Sequence, residues 1–561
     1  MKKLNILLFM ALMFAVITAS YSQPVDSTTL NVSSITNTVT LNAGTVYIMK
    51  GYNYVRNGGN LVIPAGTIIL GEKATNLKGV LIIERGGKIH ANGTASQPIV
   101  FTSRQPAGQR APGDWGGIIM LGRSGINTAS GNDSAEIEGF GAGQGPIYGG
   151  QPRIDTDSSG VMRYVRIEFG GINLTGVSGN EINGLTMGGV GSRTVIEYVQ
   201  VSYCGDDSFE WFGGNVNCKY LISYKSVDDD WDCDNGYRGR VQFGLSVRDS
   251  GIYDQSTSNG FEIDNNTNSP TSGSFSTPRT TPIFSNMTVI GPFSSTGLTL
   301  NSLHGRGGHW RRCMLASAYN TIVMGWRVGL RMDGAGVHNA ATADTIQFRY
   351  SIFAGNVKLG DSASGNFGTQ AWLQNGAYNN TIFSAASDVQ LTNPFAVYPD
   401  GPTGPVVNNW MPLGGSPALT GANFSNPNLA GFEVVTYKGA FGTTNWTANW
   451  AVFNPNNYVI GIQQISANVP GSFNLSQNYP NPFNPNTNIK FDIPQSGFVT
   501  LKVYNAIGEE VKTLASQNLA VGTYKVDFDA SALPSGVYFY RLNIEGTENS
   551  FSETKKMMLV K

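Results

Sequence analysis

Tyr198-Val-Gln-Val-Ser-Tyr-Cys-Gly-Asp-Asp-Ser-Phe-Glu-Trp-Phe-Gly-Gly214 lies over Tyr220-Leu-Ile-Ser-Tyr-Lys-Ser-Val-Asp-Asp-Asp-Trp-Asp-Cys-Asp-Asn-Gly236 at a shift of 22 residues. Upstream, Arg163-Tyr-Val-Arg-Ile-Glu-Phe-Gly-Gly171 matches Glu197-Tyr-Val-Gln-Val-Ser-Tyr-Cys-Gly205 at a shift of 34. Downstream, Gly260-Phe-Glu-Ile-Asp-Asn265 echoes Trp231-Asp-Cys-Asp-Asn235, and Asn286-Met-Thr-Val-Ile290, Asn320-Thr-Ile-Val-Met324 and Arg349-Tyr-Ser-Ile-Phe353 continue the series. Unequal repeats of short strands and turns, without helical periodicity, describe a solenoid whose coils share one core and differ in their loops. The fold expected is all-β: a right-handed parallel β-helix followed by a small C-terminal antiparallel β-sandwich. A propeller blade needs about 40–50 residues, so a 22-residue repeat is too short for one.

The N-terminal part fits the same coil. Asn60-Leu-Val-Ile-Pro-Ala-Gly-Thr-Ile-Ile-Leu-Gly71 and Gly79-Val-Leu-Ile-Ile-Glu-Arg-Gly-Gly-Lys-Ile-His-Ala-Asn-Gly93 are strands punctuated by Gly and Pro. Pro98-Ile-Val-Phe-Thr-Ser103 and Gly113-Asp-Trp-Gly-Gly-Ile-Ile-Met-Leu-Gly122 follow in the same style. Together with His309-Trp-Arg-Arg312 and Tyr437-Lys-Gly-Ala-Phe-Gly-Thr-Thr-Asn-Trp446, this succession resembles uncharacterised secreted β-helix proteins of Bacteroidota-like bacteria. That resemblance implies a fold and no established reaction. Open solenoid ends need covering; residues 23–50 are expected to cap one end, and the Pro-, Asn- and Trp-rich stretch 394–458 to close the last coil.

Both termini carry targeting signals. Met1-Lys-Lys3, an apolar run from Leu4 to Ile17 and Ala19-Ser-Tyr-Ser22 make a secretory signal peptide at residues 1–22, cut before Gln23. The apolar core is too short to span a bilayer, and no later stretch is long enough, so no transmembrane segment is expected. At the other end, Phe473-Asn-Leu-Ser-Gln-Asn-Tyr-Pro-Asn-Pro-Phe-Asn-Pro-Asn-Thr-Asn-Ile-Lys-Phe491 opens a segment with alternating strands at Val499-Thr-Leu-Lys-Val-Tyr504 and Tyr524-Lys-Val-Asp-Phe528. It closes on Leu533-Pro-Ser-Gly-Val-Tyr-Phe-Tyr-Arg-Leu542 and Lys555-Lys-Met-Met-Leu-Val-Lys561. This series closely resembles the C-terminal sorting domain of type IX secretion system cargo. The resemblance implies passage across the outer membrane to the cell surface or medium, with the secretion machinery as partner. The organisation expected is therefore signal peptide 1–22, β-helix with terminal caps 23–462, linker 463–472 and sorting domain 473–561.

Composition narrows the function. Seventy Gly, 13% charged residues and 40% apolar residues suit a β solenoid rather than a disordered chain. A net charge of −1, or −3 once Lys2 and Lys3 leave with the signal, offers no basic field for nucleic acid. Cys204, Cys218, Cys233 and Cys313 match no zinc spacing. In the 22-residue register Cys204 lies over Ser226, Cys218 over Ile196 and Cys233 over Trp211, so no ladder disulfide is predicted.

The candidate site is acidic. The register stacks Asp206 on Asp228, Asp207 on Asp229 and Glu210 on Asp232, with Asp230 and Asp234 beside them. Carboxylates about 4.8 Å apart must be protonated, neutralised or bridged by a cation. Ca²⁺ suits such a set because it accepts six to eight oxygens in loose geometry. The structural alternative has these carboxylates accepting backbone amides, with Arg238, Arg240, Arg311 or Arg312 neutralising the rest.

Three functions remain open. Export, solenoid shape and the lack of a recognisable catalytic set favour a binding or adhesion protein with a glycan ligand. A Ca²⁺-dependent polysaccharide lyase would use the acidic stack with Arg238 or Arg240 as base, and a glycoside hydrolase would draw a carboxylate pair from Asp206, Asp207, Asp229 and Asp230. A structural surface-layer component is the third. Trp115, Trp211, Trp231, Trp310, Trp326 and Trp372 read as core stack residues rather than sugar platforms, and His304 and His309 as structural.

Overall fold

The computed structural model describes residues 27–561 apart from 31–32, 44, 75–77, 173–178, 267–274, 364, 397–409, 458–461, 467, 520, 531–532 and 547–549. The signal peptide and its cleavage point lie outside the described residues.

The coil registers read from the repeats are the registers of the strands. Ile196 pairs with Cys218 and Glu210 with Asp232 at 22 residues, Arg163 with Glu197 at 34, and Trp231 with Phe261 at 30. All of these pairings are parallel, so the chain is a parallel β-helix. One face is a ten-stranded sheet in strict chain order, running from Tyr52–Val55 through Leu185–Gly188, Phe209–Phe212, Trp231–Asp234, Phe261–Ile263 and Gly308–Trp310 to Lys358–Asp361. The other two faces are joined in mid-solenoid by long bent strands, Gly160–Glu168, Val195–Ser202, Cys218–Tyr224, Arg240–Val247 and Ile283–Ile290.

The bend in each long strand is one residue in the left-handed region: Tyr164 (φ 49°), Tyr198 (54°), Tyr220 (56°), Phe243 (60°) and Asn286 (54°). Such a backbone costs a non-glycine residue about 1–2 kcal/mol. Stacking offsets it, because the rings lie 4.4 Å apart for Tyr164 and Tyr198, 4.4 Å for Tyr198 and Tyr220, and 4.8 Å for Tyr220 and Phe243, each pair contributing about 0.5–1.5 kcal/mol. The repeated Tyr that aligned the sequence is therefore the corner of the coil.

Inside, the core is continuous from Leu30 to Tyr378. All six tryptophans assigned to it are buried, and Phe209 stacks on Trp231 at 5.2 Å as Trp211 does on Tyr237. The four cysteines are buried free thiols. Residues expected to cap the N-terminal end are themselves coil: Ser27–Leu30 pairs with Val46–Met49, and Thr38–Thr40 with Asn60–Ile63.

The stretch expected to close the last coil does something else. Trp372, Leu373 and Tyr378, on and just after the helix Thr369–Leu373, fill the end of the core. Residues 410–457 instead return along the outside as a strap. Buried amides fasten it: Gln242 Nε2 donates to Glu433 O (2.7 Å) while Gln242 Oε1 accepts from Glu433 N (2.9 Å). Gln200 grips Val452 in the same two-way fashion, Asn320 grips Asn423, and Asn286 donates to Tyr437 O. The strap ends against Arg110, whose guanidinium donates to Pro455 O at 2.7 Å. Below it lies an outer apolar strip including Ile222, Leu245, Ile290, Ile322 and Ile352, covered by Trp410, Phe441, Trp450 and Phe453. These strands are buried on both faces, which is why they read as near-continuous apolar runs. Gln242→Ala removes both hydrogen bonds that hold Glu433 of the strap to the coil and is expected to cost about 1–3 kcal/mol, read as a lower Tm with faster proteolysis within residues 410–457.

The C-terminal unit is a sandwich of two antiparallel sheets around Phe491, Val499, Leu501, Val503, Val526, Phe528, Tyr540 and Leu542. Burial alternates along Val499–Tyr504 as its sequence period requires. Ile462–Ser466, which spans the boundary between the residues read as β-helix and those read as linker, forms a strand antiparallel to Gly522–Asp529.

Candidate functional site

On the outer side of the ten-stranded sheet, alternation turns every second residue away from the core. Over the first strands those positions are apolar, Val80, Ile82, Ile119 and Leu121, and a hairpin at Ser134–Glu136 and Ile147–Gly149 covers them with Ile137, Phe140 and Tyr148. Over the next strands the same positions become polar: Thr186, Glu210, Asp232, Glu262, His309 and Arg331 stand one above another by strand register. The covering hairpin's far end brings Glu138 to this column. There Glu138 shares a hydrogen bond with Glu210, and Asn183 Nδ2 donates to both.

The carboxylates draw close as expected. Oxygens of Asp206, Asp207 and Asp228 fall within 4.8 Å of one another, as do those of Asp207, Glu210 and Asp232, and those of Asp229, Asp232 and Glu262. Part of the set is structural. Asp207 Oδ1 accepts the Asp229 amide at 2.7 Å, and Asp229 Oδ1 in turn accepts the Asn259 amide, so each coil's turn is tied to the next. Asp228 accepts Ser256 Oγ at 2.8 Å and Asp234 the Asn235 amide at 2.6 Å. At the far end Arg311 meets Glu262 and Asp264 while Arg312 meets Asp264 at 2.7 Å, the neutralising role offered by these two arginines in the sequence.

Between those ends, among the described residues, none of Asp206, Asp207, Glu210, Asp228, Asp229 and Asp232 has an ion pair, and Arg248 acts on Asp228 and Asp229 only from beyond the column. Burial, reinforced by neighbouring carboxylates, holds Asp206, Asp207, Glu210, Asp229 and Asp232 well above the usual carboxylate range. Burial pushes Glu138, Asp228 and Asp234 up to about 7. For Glu262 burial acts in the same direction, but His309 and Arg311 outweigh it and lower the carboxyl. Asn183, fully buried against Glu138 and Glu210, keeps an unpartnered Oδ1, and Asp228 Oδ1 is likewise without a partner.

Three residues named from sequence stand elsewhere. Asp230 turns inward, where it accepts Ser223 Oγ at 2.6 Å and pairs with the fully buried Arg248 at 3.2 Å. Arg238 is held by Asp155 (3.1 Å) and by the Gly125 and Gly236 carbonyls. Arg240 lies past the corner on the adjoining face, so neither arginine stands beside the acids as a base. Conversely, Glu138, Asn183, Glu262, Asp264 and His309 belong to the site although sequence reasoning did not place them there. Glu262 and Asp264 sat in a repeat already aligned, Gly260–Asn265, whose 30-residue offset puts Glu262 on Asp232.

Residues 33–390 match the family described as a pectate-lyase like beta helix domain, and residues 477–560 the family described as a secretion system C-terminal sorting domain. Among solved structures, the Dettilon tailspike protein is similar at 10% identity over 93% of this chain and 87% of that one, with a TM-score of 0.22. Full-length tailspike protein 2 from Escherichia coli O157:H7 bacteriophage CAB120 is similar at 12% identity over 92% and 64%, with a TM-score of 0.19. No curated protein matches the chain. Among the described residues no helix is long and apolar enough to cross a membrane.

Proposed function

Because the chain belongs to the pectate-lyase-like β-helix family and carries the sorting domain that directs export to the cell surface or extracellular space, we propose that it is an exported glycan-binding protein holding Ca²⁺ on its carboxylate column. The observation that carries this reading is the set Asp207, Glu210 and Asp232, with oxygens within 4.8 Å of one another beside the orphaned Asn183 Oδ1. An all-oxygen set at that spacing suits Ca²⁺ bonds of about 2.3–2.6 Å. Ca²⁺ left open on one side would take sugar hydroxyls or carboxylates as its remaining ligands. Binding is favoured over elimination because the arginines beside the column are engaged: Arg311 and Arg312 by Glu262 and Asp264, Arg248 by Asp230, and Arg306 as a donor to Asn259 Oδ1.

One observation favours a hydrolase as the second reading. Glu138, which burial raises to about 7, shares with Glu210 a hydrogen bond that favours the proton on Glu210, so the pair keeps a proton it could donate near neutral pH. Purified protein is therefore offered neutral and acidic polysaccharides with Ca²⁺ or chelator, following retention, new reducing ends and unsaturated uronides. Retention of at least one polysaccharide that strengthens in Ca²⁺ and releases no product is expected. Asp232→Asn is expected to weaken Ca²⁺ binding by at least about tenfold, the scale on which even outer-shell partners act. Product release would overturn the binding reading in favour of a lyase or hydrolase.

A further inference from the structure

The face next to the carboxylate column carries a groove of opposite character. It runs along successive coils, from Asn215 and Asn217 past Arg238 and Arg240 to Ile283, Leu315 and Ser317, with a cavity volume of about 450 Å³. Strand register places Arg240, Ile283 and Ser317 one above another, so the groove follows the solenoid axis. No carboxylate is among its lining residues. Arg238 is fixed as a wall by Asp155 and two carbonyls, whereas Arg240 is exposed and, among the described residues, its guanidinium has no ion pair. Asn428 completes the opposite side from the strap, oriented by donating to Tyr319 Oη at 2.9 Å.

We propose that this groove binds a saccharide chain bearing anionic substituents, carboxylate or sulfate, with Arg240 as the anchor. The chemistry follows from the lining. Amides and hydroxyls of Asn215, Asn217, Asn428 and Ser317 meet ring hydroxyls, and Ile283 and Leu315 present aliphatic surface to a ring face. A guanidinium takes a planar carboxylate or a sulfate edge through two parallel N–H donors. A groove open along the axis admits a polymer, and the absence of carboxylates spares an anionic ligand repulsion. Unlike the carboxylate column, this site needs no metal.

The inference rests on the glycan-binding reading, and calorimetry on the exported chain separates the two. Probes are oligogalacturonides for carboxylate, heparin-derived oligosaccharides for sulfate and neutral cello-oligosaccharides, each in Ca²⁺ and in chelator. Binding of one acidic series that persists in chelator is expected. Arg240→Ala should weaken it at least about tenfold with Tm unchanged, and Arg240→Lys, which keeps the charge but not the fork, should fall between. Equal binding by Arg240→Ala and the parent chain would overturn the groove assignment. So would acidic binding seen only with Ca²⁺, which would leave the glycan-binding reading standing. If no probe binds under either condition, both readings fall.

Discussion

In chelator, the melting temperature of the exported chain falls as pH rises from about 5 to about 8, and Ca²⁺ abolishes that fall. The sign follows from the carboxylate column. Asp206, Asp207, Glu210, Asp229 and Asp232 are held above their ordinary values, and Asp228, Asp234 and Glu138 reach about 7. A folded state with raised carboxyl pKa values binds more protons than the unfolded chain. Its stabilisation is complete below the unfolded values near 4 and is lost as pH climbs through the folded ones. A single carboxyl moved from 3.8 to about 7 loses on the order of 4 kcal/mol on full ionisation. On the Ca²⁺ reading proposed above, the cation would bind the ionised form, so its stabilisation would grow over the same interval. Thermal scans at several pH values, with and without Ca²⁺, read both effects. A Tm that ignores both pH and Ca²⁺ would show that the column is neutralised by other means.

Asp230→Ala should be the most damaging single substitution among the acids of the Asp206–Asp234 repeats, costing about 3–5 kcal/mol. Asp230 and Arg248 are both fully buried and paired at 3.2 Å. Arg248 also donates to the Val227 and Asp228 carbonyls, so it supports the turn that presents Asp228 and Asp229. Removing the carboxylate strands a guanidinium in a dry interior. The companion variant Asp230→Leu with Arg248→Met removes both charges and should recover part of the loss, since apolar replacement of a whole buried pair is often neutral or better while the Val227 and Asp228 carbonyls lose their donor. Denaturant unfolding checks both. If the single variant cost no more than the double, the pair would not be ionised.

Much of this architecture was legible because solenoid coils repeat the same local instructions. Tyr164, Tyr198 and Tyr220 aligned in sequence because each occupies the same left-handed corner, and Glu210 over Asp232 followed from one offset. The rest escaped for identifiable reasons. Glu138 and Asn183 reach the column through insertions that obey no repeat, so only tertiary packing could bring them there. Arg238 and Arg240 are close to Asp234 in sequence, but the chain turns a corner between them and delivers them to another face. Asp230 sits in a turn, where strand alternation no longer says which way a side chain points. The strap's composition marked it as irregular, and nothing periodic in it could say where on the solenoid it would lie.

That strap changes how the molecule can come apart. Coils held only by their neighbours peel away one at a time from a free end, each loss independent of distant coils. Here Asn320, Gln242, Gln200 and Arg110, on coils far apart along the axis, all hold one continuous segment. Peeling from either end therefore strips the seam as well, and a stack that would fray like loose pages behaves as a bound volume. The seam also follows the coils in the chain, so it can be sewn only onto coils already stacked, and a docked strap certifies a finished solenoid.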